Sequence, residues 1–468
     1  MKWFLMKERC KKMNVTSNLK SITGDPKKAI NKLAFPMILS MLLMSLNNVV
    51  DSIWVSGLGA GPLAAVGFVS PIFMILVGFG NGIGAGANSL ISRFIGAKNY
   101  KEANNTVIHT IILSIILSIA FPVVLLIFLE QILLAMGAGE VIGYAMEYGV
   151  IILIGSFSML CPAIFGSIFR AEGAVKKATY PLALTAILNI ILDPIFIYTF
   201  NLGVAGAAIA TVLSSTIALL LLIYWLVIKK DTFFSVTREN YKQKFSIYRE
   251  ILSVGVPASI EQLILSIVSI VNNYLITITA GTLAVAAFTA TWRLISIGIM
   301  PAAGVGTAAI TVAGIAYGAR NYNNLKTVIK YSSMLALAMS IIVCVIFYVF
   351  AEPISFIFSY SSTSSNLSPL ITDTLRILCI FLLAIPFGTA ASSVFQGLGK
   401  GTFSLILTAI REFLLVIVFA VAFIFLFNMG EHGVYWGINL GAIIGSQAGF
   451  ICIILYVNKL KKNSVKHD

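Results

Sequence analysis

Residues 82–100 read GIGAGANSLISRFIGAKNY, and residues 304–322 read GVGTAAITVAGIAYGARNY. Each stretch opens on Gly-x-Gly and closes on Gly-Ala-Lys/Arg-Asn-Tyr, at an offset of 222 residues. Working outward, Gly61-Pro-Leu-Ala matches Gly281-Thr-Leu-Ala at an offset of 220, and Pro36 matches Pro257 at 221. The chain is an internal duplication. Its two halves are strongly apolar: 59% of the 468 residues are hydrophobic and only 11% are charged. A soluble domain carries about 25% charged residues, and so few charges cannot cover an aqueous surface of this size. Disorder requires the opposite composition. The solvent for most of this chain is lipid.

The distribution of charge sets the topology. Of the 32 Lys and Arg, 29 fall in seven segments, and the remaining three are Arg293, Arg376 and Arg411. The intervening stretches each hold two spans of about 20 residues, with few basic residues at the far turn. This positive-inside pattern predicts twelve helices with both termini in the cytoplasm. It argues against a nucleic-acid partner, despite the formal net charge of +14, because the basic groups are scattered along loops. Continuous apolar runs exclude a barrel of short alternating strands. The expected fold class is an all-α membrane protein with twelve transmembrane helices in two six-helix lobes. An even number of spans per repeat keeps both lobes in the same orientation, so the pseudo-two-fold axis runs along the membrane normal. The expected division is a cytoplasmic arm over 1–34, an N-lobe over 35–228, a cytoplasmic loop over 229–254, a C-lobe over 255–457 and a cytoplasmic tail over 458–468. The arm, with nine basic residues and no apolar core, does not read as a signal peptide.

Two matched lobes suit alternating access, in which one rocks against the other. Motifs for competing chemistries are absent: there is no GxxxxGK[ST], HExxH or GxSxG. No enzyme activity is expected. The five cysteines form no CxxC and read as free thiols.

Ionisable groups inside a span cost about 2.5–3.5 kcal/mol on insertion scales, so each needs a reason. Asp51 lies about 24 Å along span 1 from its cytoplasmic start, and Asp193 about 20 Å along span 5, at 1.5 Å per residue. Asn47 and Asn189 each precede an acid by four residues and share its helix face. Pro194 removes a backbone donor and frees the Ile190 carbonyl. Thr211 enters span 6 from the opposite side to the same depth. The resulting oxygen cluster suits a hard cation such as Na+, a proton shared between buried acids, or a purely structural polar network. Spacing does not choose among these. Glu261, four residues past Pro257 in span 7, has no counterpart at Asp51's place, where the second half offers Val271 or Asn272. It snorkels, pairs or serves transport. Arg293 and the Arg411–Glu412 pair are expected to be paired structural charges, Asp373 to be solvated, and His109 and His432 to be structural. Tyr148, Met146, Phe157, Met159 and Phe165 sit where they line a cleft, face lipid or pack in the core.

The stretches LNNVVDSIWVSGLGAGPLAAVGF (46–68) and LNIILDPIFIY (188–198), with ISRFIGAKNYKEA (91–103) and FRAEGAVKKATYP (169–181), resemble the multidrug and toxic compound extrusion (MATE) family, closest to its DinF-like prokaryotic branch. The resemblance covers about residues 24–460. It implies a secondary antiporter in the plasma membrane that exports cationic lipophilic compounds and acts as a monomer. It needs no cofactor beyond a coupling ion, Na+ or H+. It carries over an ion site at Asp51, Asn189, Asp193 and Thr211, with Tyr148 in the same network. It also carries over Pro36 as a hinge in span 1. The second-lobe acid of the NorM-like branch is not matched: the aligned position in span 10 is Ile385. A flippase or exporter of a lipid-linked or other metabolite is the alternative. It is expected to line its cleft with arginines, for which only Arg293 and Arg411 are available.

Overall fold

The structure, a computed structural model, describes residues 18–229, 231–237, 241–356 and 367–465. Among them nine helices are long and apolar enough to cross a bilayer, and two bent pairs each do so as a unit. One of the nine, Phe245–Gly318, runs 74 residues. That is about 110 Å at 1.5 Å per residue, far beyond a hydrocarbon core of about 30 Å. It is two spans joined at Gly281, whose φ of 77° and ψ of −173° are closed to a residue with a Cβ. The spans therefore number twelve. They are α1 (Pro26–Ser56), α2 (Ala60–Gly96), α3 (Tyr100–Ile127), α4 (the bent pair Gly139–Gly155 and Phe157–Ala171), α5 (Val175–Thr199) and α6 (Gly203–Ile228). The second six are α7 (245–280), α8 (282–318), α9 (Tyr322–Val349), α10 (the bent pair Leu367–Leu378 and Phe381–Gly397), α11 (Gly401–Phe425) and α12 (Glu431–Val465).

The duplication is written in the backbone. Gly59, which precedes α2, has φ 108° and lies 222 residues before Gly281. Lys98 and Arg320, again 222 apart, are both left-handed, at φ 58° and 54°. Each leads into an asparagine cap: Asn99 accepts from the Glu102 amide at 3.3 Å, and Asn321 from the Asn324 amide at 3.0 Å. The fourth helix of each lobe bends at the same place, by 42° in α4 and 44° in α10. At each bend a small polar side chain bonds back to the carbonyl three residues earlier: Ser156 Oγ to Leu153 at 2.6 Å, Cys379 Sγ to Arg376 at 3.1 Å. Pro162 follows Ser156 by six residues and Pro386 follows Cys379 by seven, so each bent span also lacks a donor.

The lobes meet around the symmetry axis through equivalent residues. A Cβ on Gly96 would overlap the Ile315 carbonyl oxygen, and one on Gly318 would overlap the Arg93 carbonyl oxygen. Both pairs of positions differ by 222, so the two contacts are one contact seen from either side. Ser92 lies against Gly314, its own equivalent, which puts the axis between them. Gly82 packs on Ser259 as Gly304 packs on Ile38. Only glycine admits two helix backbones this closely. Among the described residues, hydrogen bonds join the lobes toward the end of the molecule where α1 begins and α12 ends. Asn88 Nδ2 donates to Thr311 Oγ1 at 2.9 Å, Ser89 Oγ to the Gln396 carbonyl at 2.5 Å, and Tyr331 Oη to Asn31 Oδ1 at 2.9 Å. At that end the two lobes are closed on each other.

The helices run further into water than the apolar windows indicate, because backbone bonding continues past the last apolar residue. α1 begins at Pro26, within the segment read as an arm, where Asp25 caps the Lys27 amide at 2.9 Å and proline occupies the first turn. α7 begins at Phe245, within the expected loop. The segment 231–237 and residues 242–244 dock on the N-lobe. Asn105 exchanges bonds with both backbone groups of Lys242 at 2.9 and 3.0 Å, and His109 Nε2 accepts from the Lys244 amide at 3.1 Å. Residues 1–17 of the expected arm lie outside the described residues.

Candidate functional site

α1, α5 and α6 bring together five of the polar residues singled out in the sequence. Asn189 Nδ2 donates to Asp193 Oδ1 at 2.8 Å, the bond expected of residues one turn apart, and approaches Thr211 Oγ1 on α6 at 3.4 Å. The carboxyls of Asp51 and Asp193 meet within hydrogen-bonding reach across the α1–α5 contact. Asn47 lies one turn before Asp51 and is buried, as are Asn189 and Asp193. Tyr148, buried on the first half of α4, lies within electrostatic reach of both carboxyls.

Local sequence shapes this pocket. Pro194 lacks an amide, so Ile190 keeps a free carbonyl. Immediately beyond, Ile195–Thr199 winds as a π-turn in which the Phe200 amide bonds to the Ile195 carbonyl at 2.9 Å. Such widenings recur where a helix presents backbone and side chains to a ligand. Tyr198 on that turn donates from Oη to the Trp54 carbonyl at 2.5 Å and meets the Trp54 ring edge-on at 6.3 Å. This ties the end of α5 to α1 above the acids. Sequence reading passed over Trp54 and Tyr198. Their only signal was aromatic residues three and five positions beyond the acids.

Three oxygens here are buried without a partner: Asn47 Oδ1, Asp51 Oδ1 and Asp193 Oδ2. Each orphan of this kind costs about 1–3 kcal/mol. All three are acceptors, so what would satisfy them is positive: a proton shared by the carboxyls, or a hard cation seated among oxygens.

The other singled-out residues lie elsewhere. Pro36 is within an unbroken stretch of α1, where Ser40 Oγ bonds to its carbonyl at 2.9 Å. Its distance from Asp51 is about 22 Å by helix rise. Glu261 faces α10 and α11 in the C-lobe, where Gln396 Nε2 lies 3.4 Å from both carboxyl oxygens. Met146 and Met159 pack against one N-lobe core cluster, Phe165 belongs to the main core and Phe157 packs against it. Arg411 and Glu412 pair at 2.8 Å, both buried, within a π-turn of α11 over Ala409–Leu415. Asp373, expected to be merely solvated, accepts from His432 Nε2 at 2.7 Å. The sequence gives no hint of that pair, because the two residues lie in different helices. Cys161, Cys344, Cys379 and Cys452 are free thiols, and Cys10 lies outside the described residues.

The family model described as MatE matches residues 36–195 and 257–422, one match in each half of the duplication. "Multidrug export protein MepA" of Staphylococcus aureus (strain MSSA476) is 26% identical over 437 residues, which is 92% of this chain and 94% of that protein. A MATE protein crystallised in complex with MaL6 is 37% identical, with a TM-score of 0.93, over 95% of this chain and 99% of its own. A multidrug resistance MATE family transporter of the MOP superfamily, solved in an outward-facing conformation, is 38% identical with a TM-score of 0.92, over 95% and 99%.

Proposed function

We propose, for a chain that belongs to the MATE family of multi-pass membrane transporters, that it exports multiple drugs from the cell. Its substrates are cationic lipophilic compounds, and export is driven by exchange for H+ or Na+ through the N-lobe carboxylates. One observation carries the coupling reading: three unpartnered acceptor oxygens, from Asn47, Asp51 and Asp193, converge in the N-lobe of a membrane-spanning fold. A site short of positive charge in this way has a use for the ion that drives export.

With the cytoplasmic seam closed, an ion from outside enters the N-lobe and neutralises the Asp51–Asp193 pair. Asn189 and Thr211 hold the pair's orientation through their contacts at 2.8 and 3.4 Å. The bound drug leaves outward, and the ion-loaded transporter turns inward. Coupling requires that drug and ion favour different arrangements of the lobes, since a ligand shifts an equilibrium only by its differential affinity. The likeness to an outward-facing relative agrees with a seam closed on the cytoplasmic side. We place the protein in the plasma membrane with both termini cytoplasmic, working as a monomer without a cofactor.

The test uses purified protein in liposomes with ethidium as reporter, under separately imposed sodium and pH gradients. Movement under one gradient, lost in Asp51→Asn, establishes antiport and names the ion. Undiminished movement in Asp51→Asn would sink the carboxylate coupling. No movement under either gradient would favour a lipid-linked or metabolite substrate.

A further inference from the structure

The bend of α10 is built on a sulfur where the bend of α4 is built on an oxygen. Cys379 Sγ donates to the Arg376 carbonyl at 3.1 Å, as Ser156 Oγ does to the Leu153 carbonyl at 2.6 Å. A hydroxyl therefore meets the bend's own need, and the sulfur is available for a second use. α9 supplies its partner. α9 and the bent α10 pack side by side in opposite directions. The Arg376 guanidinium lies 5.9 Å over the Tyr348 ring. One turn further from that contact on both helices, Cys344 faces Cys379, and the two thiols meet within hydrogen-bonding reach. Phe347 and Leu382 both close on Gly298 of α8, so the two helices share a third neighbour at this level. Cys379 is fully buried and Cys344 is partly exposed. The N-lobe has no such pair: the 222-residue offset sends Cys344 to Pro122, and its bend carries Ser156. Cys344 lies five residues before the end of α9 at Val349, about 7.5 Å at 1.5 Å per residue. Near that end Glu352, Ser368, Thr372, Asp373 and Arg376 line an open cavity of about 350 Å³. Arg376 belongs to both features, with its side chain in the cavity wall and its carbonyl on the Cys379 thiol.

We propose that Cys344 and Cys379 are a peroxide-responsive dithiol, and that its oxidation to a disulfide fixes the bend of α10 to α9. The oxidant is a hydroperoxide, of which hydrogen peroxide is the simplest. It arrives from the end of the molecule that holds the cavity, the outer end in the orientation proposed above. Cys344, the more accessible partner, gives up its proton to water and attacks one peroxide oxygen as the thiolate. The O–O bond breaks, leaving a sulfenic acid on Cys344 and a hydroxide, which takes up the released proton as the first water. Cys379 Sγ then attacks the sulfenic sulfur. The S–S bond forms, the S–O bond breaks, and the hydroxide leaves with the Cys379 proton as the second water. Two thiols and one peroxide thus give one disulfide and two waters. The S–H that donated to the Arg376 carbonyl is consumed, and a covalent tie to the neighbouring helix replaces that back-bond. The proposal needs only the two sulfurs and the fold, so it stands apart from the ion coupling assigned to the N-lobe.

The experiment uses full-length, reduced protein in lipid nanodiscs, exposed to millimolar hydrogen peroxide. Catalase stops the reaction, and N-ethylmaleimide in denaturant caps every thiol that remains. Peptide mass mapping should show the peptides of Cys344 and Cys379 joined, lighter by two hydrogens than the reduced pair, with the other three cysteines capped. A phosphine reductant should separate them. Amide hydrogen exchange across residues 375–383 should slow several-fold in the oxidised protein and recover on reduction. Cys379→Ser keeps the kind of hydroxyl that serves the bend at Ser156, so it should fold. It must lose the cross-link and the slowed exchange, and leave on Cys344 a sulfenic acid that dimedone traps. Cys344→Ser must lose the cross-link and leave Cys379 reduced. Capping of both thiols after peroxide, or a cross-link from either of them to Cys161 or Cys452, overturns the proposal. Unchanged exchange in the cross-linked protein overturns the fixing of the bend.

Discussion

Gly96 meets Ile315 as Gly318 meets Arg93, and Gly82 meets Ser259 as Gly304 meets Ile38. At the seam, then, the two lobes are interchangeable. Away from it the equivalence ends. The offset that relates Pro36 to Pro257 sends Asp51 to Asn272. The offset that relates Gly173 to Gly399, both at φ 78°, sends Asn189 and Asp193 to Leu415 and Phe419. Asn272 Oδ1 is buried and unpartnered like its N-lobe counterpart, but a neutral amide takes up no proton at neutral pH. In its place the C-lobe buries a matched pair, Arg411 and Glu412. Symmetry is kept where the lobes must slide on each other, and surrendered where a single lobe is to carry net buried acid.

The sharpest way to break this comparison is to remove charge on each side. Asp51→Asn or Asp193→Asn should lower gradient-driven ethidium export by about tenfold or more, the scale of a coupling energy of 1–3 kcal/mol, with membrane expression unchanged. In the C-lobe, Arg411→Met alone should cost about 3–5 kcal/mol, because it strands Glu412 as a buried charge. Arg411→Met with Glu412→Leu should return near wild-type stability. Thermal melting in detergent reads the difference, and the double variant should export within severalfold of wild type. Loss of export in the double variant with stability restored would make the C-lobe pair a coupling element and undo the asymmetry.

The seam offers the converse test. Gly96→Val and Gly318→Val each force a side chain into a carbonyl of the opposite lobe, at about 1–3 kcal/mol of overpacking. Because the two contacts are equivalent, both variants should shift the cytoplasm-open population by a similar factor, read by spin labels at Lys101→Cys and Lys400→Cys, one on each lobe. An effect confined to one of them would show that the lobes do not close symmetrically.

Much of this was legible in the sequence, and for physical reasons. Hydropathy and basic loops report the bilayer directly, and residues four apart on a helix share a face. The twelve spans, the duplication and the Asn189–Asp193 contact were therefore readable from order alone. What was not readable depends on partners brought from far along the chain. The bends in α4 and α10 need neighbours to receive them, as Gly155 does against Val212. Gln396 carries no charge and gains its meaning only from Ser89 and Glu261, 307 and 135 positions away. His109 reads as a lone histidine until the Lys244 amide is placed on its ring.

The smallest effect concerns Glu172, at the C-terminal end of α4, whose repeat equivalent by the 226-residue offset is Leu398. Both are buried, at 3% and 2% exposure, so the same turn holds an acid in one lobe and an alkyl group in the other. Glu172 accepts from the Phe233 amide at 2.8 Å and thereby fastens the inter-lobe segment to the N-lobe. Burial pushes its carboxyl up to about 8, against the weaker pull of the Phe233 bond and of Lys177. An acid raised in the folded state binds a proton that the unfolded chain has already lost. Its contribution is therefore complete below its ordinary value near 4.5 and fades as pH rises through about 8. Wild type should lose on the order of 2 kcal/mol between pH 6 and 8 relative to Glu172→Gln, which keeps the shape without the titration. Melting temperature against pH measures the gap, and exchange at the Phe233 amide should follow the same curve. The C-lobe turn, with Leu398 in place of the acid, should show no such dependence. A wild-type curve that instead rises through this window would mean that Glu172 is fastened as a carboxylate, with Lys177 outweighing burial.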